Sequence, residues 1–142
     1  MAGDMKGFVP DEIIPGATVQ LLLQNPGADE EKSGRPAVGK SGQMMDTKFL
    51  PLAGLERGLN VNVANVLKCR WVINGKRTND LPPASILKPA VAHCTKAYLR
   101  IPSETKLVIG LGKLANDYLG CPGSISSWRG FTYPVTADYA QA

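Results

Sequence analysis

Two short loops hold the residues best placed for chemistry. The first, Gln24-Asn25-Pro26-Gly27, abruptly ends an apolar run, Val19 to Leu23. An amide such as Asn25 holds a water by hydrogen bonds but cannot act as a strong base. The second loop, Gly34 to Gly42, is punctuated by glycines and leads into a helix for which Ser41 reads as the cap. A charged segment separates the two. A buried strand running into a long Gly/Pro-shaped loop and then a helix N-terminus is where open α/β sheets place their chemistry. The rest of the chain reads as support for that crevice.

Two motif matches compete with this reading. Gly34-Arg35-Pro36-Ala37-Val38-Gly39-Lys40-Ser41 fits the phosphate-binding pattern G-x-x-x-x-G-K-[ST] letter for letter. That loop should follow a strand directly, yet Asp29 to Ser33 is charged and the strand ends at Leu23. There is also no apolar strand ending in Asp to hold magnesium. Gly110-Leu111-Gly112-Lys113-Leu114-Ala115 fits a loose dinucleotide fingerprint, but in the last third of the chain with no second βαβ half after it. It reads as a tight strand-to-helix turn.

The elements around these loops follow from periodicity. Met1 to Gly16 is a polar, Pro-spaced lead-in. Thr18 to Leu23 is a first strand, buried on both faces. Ser41 to Leu55 is a helix with Met44, Met45, Phe49, Leu52 and Leu55 inward, ended or kinked by Pro51. Val61 to Leu67 is a second strand carrying Asn62 and Asn65. Arg70 to Pro83 is a polar loop with Asn-Gly at 74–75. Ser85 to Leu99 is a helix with Ile86, Leu87, Val91, Cys94 and Leu99 inward, and Pro89 in its first turn or bending it. Lys106 to Gly110 is a third strand, and Gly112 to Leu119 a short helix. Ser124 to Val135 holds Trp128-Arg129-Gly130 and a β-like FTYPV. Strand–helix alternation at this spacing argues for a parallel sheet with helices on both faces.

The bulk numbers fit one ordinary domain of 142 residues, 44% hydrophobic and only 6% aromatic, so the core should be Leu, Val, Ile and Ala. A net charge of +4 permits a polyanionic partner without demanding one. Three cysteines, Cys69, Cys94 and Cys121, are too few and scattered for a disulfide scaffold. No apolar run approaches membrane-spanning length and no signal peptide is visible, so a cytoplasmic, reducing location is the default expectation.

The ordered set QNPGADEE, GRPAVGKSGQMM, AGLERG, NVANVLKCR, LVIGLGKLA and WRG resembles the uracil-DNA glycosylase superfamily, and within it family 4, including versions found in phages. The likeness covers roughly Phe8 to Val135. It implies a three-layer α/β/α sandwich around a central four-stranded parallel sheet. It also implies excision of uracil from DNA by hydrolysis of the N-glycosidic bond, without a catalytic metal. The first family motif resembles Leu23-Gln24-Asn25-Pro26-Gly27 and places the water. Asn25 falls where two branches of the superfamily carry the water-orienting Asp or Asn, and Gln24 stands where family 4 has Glu. Slow chemistry would follow, since an amide is not a strong base. Asn65 falls at the base-reading asparagine: uracil offers an N3–H donor beside an O4 acceptor, and one carboxamide supplies both partners. Pro26, Gly27 and Ala37 complete the implied base pocket. Gly39, Lys40, Ser41 and Gly42 at the helix start, together with Arg129, are candidates for DNA phosphate; a plain helix cap and a solvated loop charge are the respective alternatives.

The chain departs from the family at four places. Ala37 replaces a Phe that stacks on uracil, a loss worth about 1–3 kcal/mol of base binding. Gln24 replaces Glu. A late His-Pro-Ser segment, whose histidine stabilises the uracil anion, is missing, and His93 does not match it. The family's four-iron four-sulfur cluster needs four cysteines; Cys69 and Cys94 match two of them, the N-terminal Cys-x-x-Cys is absent, and Cys121 matches none. Buried reduced thiols are the expectation for Cys94 and Cys121. Two functions remain open: a glycosylase acting on uracil or a modified base in single- or double-stranded DNA, or a derivative that binds DNA or a base without cutting. The missing ends have two explanations: a longer parent protein or a partner chain supplies them, or the chain is a reduced natural relative that has dropped the cluster and the histidine loop.

Overall fold

Strand β1, Val19–Leu23, lies between its two partners, as its mainly apolar sequence favours; its one polar residue, Gln20, is buried and donates to the Arg100 carbonyl (2.8 Å). The computed structural model describes residues 7–121. Within them β1 pairs in parallel with β2, Val61–Asn65, on one side. On its other side it pairs in parallel with a strand at Leu107–Gly110. Leu23 lies opposite Asn65 and Leu22 opposite Gly110, so the three strands end together. The architecture is α/β with a parallel sheet of three strands among the described residues.

Adjacent residues of a strand face opposite sides, and Leu21 and Leu22 accordingly seed two cores. Leu21 packs with Ala37, Met45, Leu50, Val61 and Val63. Leu22 packs with Ala64, Val66, Ala90, Cys94, Leu114 and their neighbours. The first core is covered by the helical stretch α2, Lys40–Met44, continued by a π-helical turn at Met45–Phe49 and α3, Leu50–Leu52. The second lies under α4, Ala84–Tyr98, and a helix at Lys113–Tyr118.

Several expectations need correction. The charged segment after the first loop is a helix, α1, Ala28–Ser33, with acidic residues in its first turn as the helix dipole favours. The cap of α2 is Gly39, not Ser41, and no side chain caps it. The inward face of the next helix was misphased: Met45 and Leu50 are buried, whereas Met44, Phe49 and Leu52 are exposed. The cause is Pro51. It has no N–H to give the carbonyl of Thr47, and its ring crowds that carbonyl. The turn before it widens, with the Leu50 N–H bonding the Met45 carbonyl, and the apolar stripe rotates.

Strand β2 ends at Asn65 rather than Leu67; Val66 and Leu67 instead donate to the carbonyls of Leu23 and Gln24. The polar loop at 70–83 contains an antiparallel hairpin, β3, Trp71–Ile73, and β4, Lys76–Thr78. Its turn is Asn74-Gly75, both at positive φ (50° and 76°), the conformation an Asn-Gly pair favours. Pro89 sits inside α4, beyond its first turn. The parallel strand at Leu107–Gly110 is thus β5 and the helix at Lys113–Tyr118 is α5. Part of the lead-in is structural: Glu12 bridges Val63 antiparallel on β2. The WRG and FTYPV segments lie outside the described residues.

Candidate active site

The C-terminal ends of β1, β2 and β5 bring Gln24, Asn25 and Asn65 to one edge of the sheet. Asn25 follows β1 by two residues. Its Nδ2 donates to the Asn79 carbonyl just after the hairpin (3.0 Å) and more weakly to the Pro26 carbonyl (3.5 Å). Both partners are acceptors, which orients the amide and leaves Oδ1 without a partner among the described residues. Gln24 lies against Gly112 in the β5–α5 turn. Its Oε1 accepts from the Leu114 N–H (3.0 Å), so that oxygen caps α5. Asn65 is 3% exposed, and its carboxamide has no hydrogen-bond partner among the described residues.

Glu30 fastens the two loops together. One carboxylate oxygen accepts from the N–H groups of Val38 (3.0 Å) and Gly39 (2.9 Å), the other from Gly27 (2.9 Å). Burial pushes its carboxyl up, but the bonds from Gly39, Glu30's own backbone, Val38 and Gly27 outweigh this and hold it below the usual carboxylate value. This carboxylate fills the anion position that a phosphate-binding loop would offer, so the GRPAVGKS match is not a nucleotide cradle here. Lys40 and Ser41 stand exposed beyond it at the start of α2.

Ala37 is buried, at φ 52°. Arg57 holds the loop from below, donating from Nη1 to the Ala37 carbonyl (2.6 Å) and from Nη2 to the Pro36 carbonyl (2.5 Å), and pairing with Glu12 (3.0 Å). From above, Gly42 touches the same loop: a Cβ there would meet the Ala37 carbonyl oxygen at 1.8 Å. Pro26 is buried, and Gly27 sits beside Glu30. Arg129 lies outside the described residues.

Behind Asn65 lies a buried ion pair. The Lys68 Nζ donates both to Asp11 and to the Asn65 carbonyl. Asp11's other oxygen accepts from the Arg100 N–H (2.8 Å). The two side chains are 1% and 3% exposed. Burial pushes Asp11 up and Lys68 down, against their mutual attraction.

A cavity of about 360 Å³ opens under the hairpin, bounded by Asn25, Cys69, Arg70, Trp71, Cys94 and Tyr98 among others. Gln24, Asn65, Ala37 and residues 39–42 do not line it. Cys94 is buried; Cys121, expected to be buried, is only half-buried and lies outside the cavity lining. His93 is exposed on α4 with its ring edge-on to Tyr98. Among the described residues no three His, Cys, Asp or Glu side chains come close enough to hold a metal. With three cysteines in the chain, of which two share this cavity, the donor set does not fit a four-thiolate cluster.

The structure brings Asn25, Gln24 and Asn65, expected from the motifs, to one sheet edge, and around them it places Glu30, Asp11, Lys68, Arg57 and Asn79, which the motifs do not single out. Glu30 alone carried a readable signal: a Glu at the third helical position after a loop, the second half of a capping box.

A family model described as the uracil DNA glycosylase superfamily matches residues 10–137. The type-4 uracil-DNA glycosylase of Thermotoga maritima is 31% identical over 114 residues, 79% of this chain and 55% of that protein. Those of Sulfurisphaera tokodaii and Pyrobaculum aerophilum are 40% identical over 62 residues and 42% over 65. Those two matches cover 44% and 46% of this chain. The matched regions span 28%, 32% and 55% of the three relatives' lengths.

Proposed function

The chain belongs to the uracil DNA glycosylase superfamily, and from that premise we propose that it removes uracil, or a modified base, from DNA. The reaction is hydrolysis of the N-glycosidic bond. The observation that carries this reading is the meeting of Asn25 and Asn65 at the ends of adjacent parallel strands, in register through Leu23 and Asn65. A base flipped out of the stack, at a cost of a few kcal/mol, enters that crevice. Asn65 reads its N3–H and O4 edge. Asn25, with Nδ2 committed to Asn79, presents Oδ1 to a water. As the bond from C1′ to N1 breaks, the sugar becomes oxocarbenium-like and the base leaves as an anion. The water adds to C1′, and its proton passes to the departing base anion, directly or through solvent, giving an abasic sugar and neutral uracil. An amide orients that water without deprotonating it, so turnover is slow.

Gln24 positions the α5 turn beside the pocket, and Pro26, Gly27 and Ala37 shape its wall. Gly39, Lys40, Ser41 and Gly42, with Arg129, bind DNA phosphates. Helix-covered cores on both faces of the sheet support a three-layer sandwich, which a fourth parallel strand would complete. The setting is cytoplasmic, in base-excision repair or phage DNA metabolism.

One observation favours a second reading, a derivative that binds DNA or a base without cutting: Ala37 leaves the base without its aromatic stacking partner. The test is excision on a labelled single-stranded oligonucleotide with one uracil, followed by alkali. Alkali-labile abasic sites are expected with the native chain and about 10²-fold fewer with Asn25→Ala. No cleavage at large enzyme excess overturns the glycosylase reading, and salt-sensitive binding without abasic sites establishes the second.

A further inference from the structure

We infer that the buried Asp11–Lys68 pair is a positioning device for Asn65, fixing the base-reading amide through its own backbone carbonyl. The inference rests on the reading of Asn65 as the base-contacting residue. The Asn65 carboxamide has no hydrogen-bond partner among the described residues, so none of these sets its direction through a side-chain bond. What is held is the peptide group that follows it. Lys68, three residues on, turns back and donates to the Asn65 carbonyl.

A lone lysine could not be held there. Its ammonium is anchored by Asp11, and Asp11 is anchored in turn by the Arg100 N–H at the end of α4. The segment that carries Asp11 is itself fastened to β2. Val9 donates to the Lys68 carbonyl (2.8 Å), Glu12 and Val63 exchange two backbone bonds (2.8 and 3.0 Å), and the Ile14 N–H bonds Asn62 Oδ1 (2.6 Å). Three parts of the chain thus converge behind one peptide plane. Buried ion pairs are poor devices for stability, since apolar residues of similar volume do as well or better. A pair this enclosed, with one donor aimed at the carbonyl of a site residue, is explained by what it orients.

The test uses the Asp11→Asn/Lys68→Met double variant, which removes both buried charges together, in the full chain. Retained backbone amide dispersion reports the fold. The Asn65 side-chain NH₂ signals, assigned by difference from Asn65→Ala, report the amide, and titration with free uracil reports the pocket. With the fold retained, those signals should shift or broaden, and uracil should bind about three- to tenfold more weakly, the worth of one hydrogen bond. A merely structural role would leave both unchanged in the folded protein, and that result overturns the inference. Uracil binding unaffected by Asn65→Ala overturns the base-reading role itself; the NH₂ signals still decide whether the pair sets the amide. If the double variant does not fold, Asp11→Ala decides: Asn65 signals as sharp as in the native chain overturn the inference.

Discussion

At the scale of single residues, one carboxylate joins the two loops that sequence reading had treated separately. Glu30 accepts three backbone N–H groups from Gly27, Val38 and Gly39. Glu30→Gln replaces one acceptor by a donor facing those groups. A loss of about 1–3 kcal/mol is expected from denaturant unfolding. The pH dependence has a definite sign. The folded values of Glu30 and Glu12 are both depressed below 4.5; burial opposes this, and backbone N–H groups or Arg35 and Arg57 overcome it. Their stabilisation is therefore complete above about pH 4.5 and fades as pH falls through the lowered values. Asp11, raised by burial, acts in the opposite sense. Thermal melts of Glu30→Gln should show a shallower acid-side decline than the native chain; an identical decline would mean that Glu30 carries none of it. At this scale Asn25 and Asn65 were legible because their types and spacing form a motif. Asp11 and Lys68 were not, because 57 residues separate the two halves of one contact.

At the scale of elements, the strands were legible and the phase of the helix after the second loop was not. Val19–Leu23 could only be a buried strand, and the helix over α4 was found within one residue of each end. The helix expected over Ser41 to Leu55 is helical from Lys40 to Leu52, and a strict 3.6-residue period could not anticipate the wide turn that Pro51 forces. The hairpin hid in a polar segment because its strands are three residues each and none of those residues is fully buried, leaving only Asn74-Gly75 as a signal. Gly42 of α2 sits hard against the Ala37 carbonyl of the preceding loop. Gly42→Ala places a methyl carbon where that oxygen sits, and both are backbone-anchored. The loop must move away. The expected cost is about 1–3 kcal/mol or more, read by chemical denaturation, together with loss of uracil excision. Native-like stability in Gly42→Ala would show the loop to be pliant.

At the scale of the whole molecule, the charge of +4 is modest, so DNA affinity should depend on a few placed cations rather than on a general field. Lys40 stands exposed at the start of α2. Binding of a uracil-free single strand, followed against salt, should give a linear log–log plot. Lys40→Ala should flatten its slope by about 0.7, one phosphate contact. An unchanged slope would remove Lys40 from the DNA interface. The clamp behind Asn65 also imposes a timetable. Asp11 must meet Lys68 and the Arg100 amide, the latter 89 residues further along. At about 5–20 residues per second, synthesis delivers Arg100 roughly 4–18 s after Asp11. Until then the carboxylate has no permanent seat, and the first two strands can pair while the pocket beside them waits. The Asp11 carboxylate behind Asn65 thus gains its full set of partners only after the whole of α4 has been made.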